Sequence, residues 1–96
     1  MSDDEFTANN HLPAVLGHVE VEAKRYIGYG GRDLLGRMTV PFNEIEDLFD
    51  EVPDGTVIDA AQAERLHSSL FELAALVAAT LAMLEVEHPE LLDKEQ

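Results

Sequence analysis

The chain has 96 residues, the size of one small domain, and carries a formal net charge of −14. It contains no cysteine, which excludes disulfide bonds, thiolate metal sites and cysteine nucleophiles. Its apolar content of 46% is too high for a disordered chain, and its acidity argues against duplex nucleic acid as a partner, because phosphate contacts require cations.

The N-terminal segment is polar and acidic. We expect residues 1–9 to form a flexible N-terminus that precedes a single domain over residues 10–96. The segment lacks the apolar stretch of a secretory signal, and the longest uninterrupted apolar run, residues 73–79, is shorter than the roughly 20 residues that span a bilayer. These features favour a cytoplasmic protein that does not contact a membrane.

A first helix is predicted from Asn10 to Ile27, because apolar residues recur there at spacings of three and four. Pro13 fits the first turn of such a helix, and Gly28 can end it. Apolar and charged residues also alternate over residues 19–24, which is a strand pattern. The alternative fold is therefore an α+β protein in which a β-hairpin over residues 18–40 packs on the C-terminal helix.

A second, shorter helix is predicted to begin near Pro41 and to end at a Pro-Asp-Gly turn over residues 53–55. Acidic residues are dense over residues 44–54, but their spacing does not match a calcium-binding loop, so a solvated helix face is the simpler interpretation. The apolar stripe of this helix consists of Phe42, Ile45, Leu48, Phe49 and Val52.

The strongest prediction is a long C-terminal helix from Ala60 to Glu87. Asp59 followed by Gln62 matches a capping box, and a proline after His88 stops the helix. The fold class that follows is mainly α, a small helical bundle built on one long C-terminal helix.

Two apolar seams run along this helix. The first consists mostly of large residues, namely Leu66, Leu70, Leu73, Val77, Thr80 and Leu84. We expect Leu73 and Val77 of this seam, and the nearby Leu81, to be buried in the core. The second is lined mostly by small residues, and so short a chain has few large side chains left to cover it. We therefore predict self-association through this second seam, whose residues are Phe71, Ala75, Ala78 and Ala82.

Four of the six basic residues, both tyrosines and four of the six glycines fall within residues 24–37. Guanidinium groups and the amides of a glycine-rich bend bind phosphate or carboxylate, and tyrosine is a common interface anchor. The segment does not match a dinucleotide fingerprint, since Asp33 stands where a third glycine is required. The predicted partner- or anion-binding residues, hereafter the basic loop surface, are Lys24, Arg25, Tyr26, Tyr29, Arg32 and Arg37.

No catalytic residue, metal site or cofactor is predicted, because the four histidines lack ligand spacing and no nucleophile motif occurs. The composition is typical of small acidic regulators and phage-type inhibitors. We expect a non-enzymatic interaction protein that docks onto another protein, and does so as a homo-oligomer. The alternatives are a small-ligand binder that sequesters a nucleotide or another anion through residues 24–37, and a self-assembling structural subunit.

Overall fold

The computed structural model describes residues 3–52 and 57–95. This part of the chain is mainly α, with three helices and no strands, so the predicted small helical bundle is confirmed. The alternative hairpin is not formed, because residues 18–40 are helical except for a short loop over residues 27–30. The predicted turn over residues 53–55 lies outside the described residues. The helices are α1 (Asp3–Ala23), α2 (Gly31–Glu51) and α3 (Ala60–Glu87), with 3₁₀ segments at Lys24–Tyr26 and Pro89–Glu95.

Helix α1 begins at Asp3, seven residues before the start that the apolar pattern predicts. Pro13 therefore lies inside the helix rather than in its first turn, and it has no N–H to donate to the carbonyl of residue 9. The apolar pattern missed the first seven residues because they carry no apolar periodicity. The expected flexibility of residues 1–9 stays a prediction.

Helix α2 begins at Gly31, ten residues before the predicted start, so the prediction that Pro41 opens this helix is wrong. The chain leaves the first helical segment at Gly28, whose φ of 99° lies in the left-handed region that favours glycine. Gly31 and Gly36 then take ordinary helical conformations, and sequence rules that treat glycine as a breaker ended the pattern too early.

Helix α3 has the predicted bounds and the predicted capping box. The Asp59 carboxylate accepts a hydrogen bond from the Gln62 backbone N–H at 2.7 Å, and the Gln62 side-chain oxygen accepts one from the Asp59 N–H at 3.2 Å. At the other end, the His88 N–H donates to the Leu84 carbonyl at 2.8 Å before the proline stops the helix.

Helices α2 and α3 form an antiparallel hairpin. Buried residues of α2 recur every seven positions, at Leu34, Pro41 and Leu48, and this line is the side of α2 that packs in the core. Arg65, near the start of α3, pairs with Glu44 at 2.7 Å and with Glu51 at 3.5 Å in the second half of α2. The hydrogen bond to Glu44 raises the pKa of Arg65 above its usual value.

Helix α1 packs on a different side of α3, through Ala23 against Ala75 and Ala79. Small side chains at these positions let the two helix backbones approach closely. Helices α1 and α2 share little or no contact within the described residues, so α3 is the centre of an open arrangement.

The expected core positions on α3 are wrong. Leu73 is half-buried, Val77 is 40% exposed and Leu81 is 50% exposed in the single chain. The buried residues are instead Ser69, Ala75, Leu76 and Ala79. The large residues of this seam are thus at most half-buried, and the buried side of α3 combines Ser69 and Leu76 with the two alanines.

The molecule is extended for its size. Its radius of gyration is 15.8 Å, whereas a compact domain of this length has about 12.5 Å. Its accessible surface is 7,392 Å², whereas a monomeric protein of the same mass exposes about 5,500 Å². The single chain therefore leaves roughly 1,900 Å² more surface in water than a typical folded monomer.

Candidate interaction surfaces

The basic loop surface is built on a loop that packs firmly against α3. Tyr26 lies against the alanine cluster between α1 and α3, and its ring meets that of Tyr29 edge-on, with centroids 5.8 Å apart. The Gly28 backbone N–H donates to the Met83 sulfur at 3.4 Å, which ties the loop to the end of α3. Tyr26 and Gly28 therefore attach the loop to α3.

Two of these cations have partners within the chain. Arg25 pairs with Glu22 at 2.8 Å, although its side chain remains 73% exposed. Arg37 pairs with Asp33 at 3.2 Å, and its guanidinium lies 4.7 Å from the centre of the Tyr29 ring, a cation–π distance.

Lys24 and Arg32 are exposed and make no ion pair among the described residues. Arg32 lies in the first turn of α2, whose N-cap residue, Gly30, provides no side-chain hydrogen bond. The first N–H groups of a helix lack intrahelical partners and carry partial positive charge. Arg32 and the first N–H groups of α2 therefore place positive charge on the part of the basic loop surface where α2 begins. Positive charge there favours binding of a carboxylate or a phosphate.

The predicted self-association seam is contradicted at one of its four positions. Ala75 is fully buried against Ala23 of its own chain, so it cannot meet a second copy in this arrangement. Ala78 is half-buried beside the same cluster, and Phe71 is half-buried with its ring stacked on His67. Ala82 is exposed and lines an apolar groove of about 340 Å³ between α1 and α3.

An apolar surface on the α2–α3 hairpin combines part of the large-residue seam of α3 with exposed apolar residues of α2. In α2 each buried position is followed by an exposed apolar residue, and in α3 the same holds after Ser69 and Leu76, so the two sets share one register around their helices. Leu73 of α3 lies beside Leu35 and Phe42 of α2 in one groove, which places both sets on the same side of the hairpin. We call this surface the outer apolar face: Leu35, Phe42 and Phe49 of α2 with Leu70, Val77 and Leu84 of α3.

The seven-residue spacing of these residues was visible in the sequence. It did not indicate whether α1, α2 or a second molecule covers them, because periodicity identifies an apolar side and not its neighbour.

Two acidic residues of the run over residues 44–54 form ion pairs that join α2 to α3. Glu44 and Glu51 pair with Arg65, while Glu46, Asp47 and Asp50 are exposed. Asp54 lies outside the described residues. The run is a helix face with two carboxylates used for packing against α3.

One open groove of about 620 Å³ is lined by His18, Glu22 and His67, with Val21 and Phe71 beside them. Within the described residues no three histidine, aspartate or glutamate side chains are placed to hold a metal ion. The groove offers an apolar floor with two imidazoles at its margin.

Helix α3 is, among the described helices, the one long and apolar enough to cross a membrane by length and composition. The core helix of a soluble protein meets the same criterion, so this finding is weak evidence for a bilayer contact. The expectation of no membrane contact rested on uninterrupted apolar runs and stays a prediction.

No protein-family model, curated protein or solved structure matches this chain.

Proposed function

We propose that this protein is a small non-enzymatic interaction protein that docks onto another protein and works as a homo-oligomer. The observation that carries the proposal is the excess of roughly 1,900 Å² of accessible surface over a typical monomer of its mass. Standard protein interfaces bury about 800 Å² on each partner, so this excess is large enough for more than one contact.

The apolar part of that surface is also unusual for a free monomer. Large contiguous apolar patches on soluble proteins mark sites that another molecule covers. The outer apolar face holds six large side chains, each between 40% and 66% exposed. A chain of 96 residues buries a limited fraction of its surface on folding, so its stability depends on covering its apolar side chains. These six side chains remain in contact with water in the single chain.

The basic loop surface is the proposed docking site for the other protein, and an acidic segment is the proposed ligand. Lys24 and Arg32 lack partners among the described residues, so binding a carboxylate there breaks no ion pair. Tyr29 is 37% exposed between these cations and Arg37, and it offers a rigid aromatic contact.

A second candidate function is the sequestering of a small anion at the same surface. The N-terminus of α2 without a side-chain cap favours it, because free helix amides bind phosphate groups. Inorganic phosphate and ATP distinguish the two: a small-anion binder melts at a higher temperature with millimolar ligand, and a protein-docking surface does not. A purely structural subunit neither melts higher nor captures another protein.

The docking experiment compares three tagged proteins in quantitative pull-downs from the source cells: wild type, Arg32→Ala and Lys94→Ala. Both variants remove one positive charge, but Lys94 is not one of the six residues that define the basic loop surface and lies far from residues 24–37 in the sequence. We expect Arg32→Ala to lose a protein that wild type and Lys94→Ala retain, with unchanged circular dichroism spectra. Equal capture by all three proteins would refute docking at this surface.

A further inference from the structure

The outer apolar face needs an occupant, and its pattern indicates what kind. Several buried residues of α2 and α3 are followed directly by exposed apolar ones: Leu34 by Leu35, Leu48 by Phe49, and Leu76 by Val77. On each helix the exposed residues recur every seven positions, at 35, 42 and 49 and at 70, 77 and 84. A seven-residue apolar repeat is the period of helices that pack side by side in coiled coils and four-helix bundles.

We propose that the outer apolar face is a homodimer interface, in which the α2–α3 hairpins of two copies pack face to face as a four-helix bundle. This inference rests on the proposed homo-oligomer and names its interface. A two-fold axis places the same surface on both partners, so the face must complement itself. The α2–α3 hairpins of two copies satisfy that condition, because the exposed apolar residues of both helices repeat every seven positions.

The area supports a second copy of this chain. Obligate homodimers commonly bury 2,000 Å² or more in total, which is about 1,000 Å² or more on each partner. The roughly 1,900 Å² excess over a typical monomer belongs to the whole chain, and the outer apolar face contributes to it through six side chains that are 40–66% exposed. Dimerisation through the hairpins would therefore bring the exposed surface towards the value expected for a folded protein.

The position of the charges also favours a second copy. The α3 side of the face, between Leu66 and Leu84, carries no charged residue on the exposed stripe, while Glu72 lies on the opposite side of the helix by its spacing. The α3 half of the face therefore has the uncharged centre that homodimer interfaces show, and on α2 the exposed Glu46 stands one turn from Phe42 and Phe49.

A lipid surface is the rival occupant, and the charges argue against it. Helices that lie on membranes carry lysine and arginine beside their apolar face, since the cytoplasmic leaflet is anionic. This chain has a net charge of −14, and its four clustered cations lie in residues 24–37 rather than along α3. Repulsion from anionic lipid would oppose the contact that the apolar side chains favour.

The test uses Val77→Glu, at the centre of the face on α3, with Val86→Glu as its matched control on the same helix. Val86 is 81% exposed and lies outside the face. Sedimentation velocity from 1 to 100 µM should find wild type and Val86→Glu at twice the chain mass of 10.6 kDa. Val77→Glu should raise the dimer dissociation constant about 100-fold or more, because each dimer would bury two unpaired carboxylates.

Folding of the variants is followed by circular dichroism at each concentration. If Val77→Glu does not fold even at the highest concentration, Phe42→Glu on α2, where the side chain is half exposed, makes the same test from the other helix. The proposal is supported if the variant unfolds when it dissociates and if the stability of wild type rises with protein concentration. Obligate dimers show both properties, because their folding is coupled to association.

Three results would overturn the proposal. A wild-type protein that is monomeric at 100 µM would remove both the dimer and the homo-oligomer of the proposed function. A dimer that Val77→Glu leaves intact would place the interface elsewhere and keep the homo-oligomer. Flotation of wild type, but not Val77→Glu, with phosphatidylcholine–phosphatidylglycerol vesicles would make lipid the occupant. Capture of the docking partner depends on Arg32 and is measured independently of these results.

Discussion

Leu76→Ala tests the observed arrangement of α3, because it separates the buried side of the helix from its exposed sides. Leu76 is fully buried, and the substitution removes three carbon atoms from a site closed to water. At about 0.8 kcal/mol for each buried carbon group the transfer loss is roughly 2.4 kcal/mol, and the cavity left behind brings the expected cost to about 3–5 kcal/mol.

That loss is large for this protein. A chain of 96 residues is expected to be stable by roughly 5–14 kcal/mol. The melting temperature should therefore fall by at least about 12 °C, given roughly 4–8 °C for each kcal/mol in a domain of this size. Urea denaturation of wild type and variant at one protein concentration measures the difference directly.

Val86→Ala is the control, since Val86 lies on the same helix and is 81% exposed. Its cost should stay within about 0.5 kcal/mol of zero. A loss below about 1 kcal/mol for Leu76→Ala, or equal losses for the two variants, would show that α3 does not present this side to the core.

Other substitutions test the ends and turns of the helices and one surface ion pair. Asp59→Ala should cost about 0.5–2 kcal/mol in urea denaturation, because it removes the capping oxygen; Asp47→Ala on the exposed side of α2 should change little. Gly28→Ala should destabilise by roughly 1–2 kcal/mol, since alanine is strained at a φ of 99°, whereas Gly36→Ala should stabilise by about 0.5–1 kcal/mol because open space surrounds that helical glycine. Arg65→Ala should lower the melting temperature by an amount that shrinks in 1 M salt, because its ion pairs are partly exposed.

Helix α3 could be predicted to the residue because its signals are local. The capping box at Asp59 and the proline after His88 act within one turn of the helix, so the sequence contains all that defines these ends. The start of α2 depended on packing instead. Gly31 and Gly36 oppose helix formation by about 1 kcal/mol each relative to alanine, and burial of Leu34 outweighs them.

The core side of α3 was assigned to the wrong residues for a physical reason. Large side chains bury more area than alanine does, so the seam with Leu73, Val77 and Leu81 was the natural candidate for the core. In the single chain, α1 covers Ala75 and Ala79 of α3, because small side chains at these positions allow the two helices to pack closely. Periodicity identified both seams, but only three-dimensional packing decided which one the chain itself covers.

Two kinds of contact with opposite dependence on salt follow from this arrangement. Each chain carries a net charge of −14, so pairing two copies sets like charges together, and added salt should strengthen a dimer that forms through uncharged side chains. The proposed docking of an acidic segment at the basic loop surface depends on a few exposed cations, and at 0.15 M ionic strength charges interact over only about 8 Å. Docking there should therefore weaken with salt despite the repulsion of the remaining chain. We therefore expect added salt to change the two proposed contacts in opposite directions, because one depends on apolar burial and the other on charge.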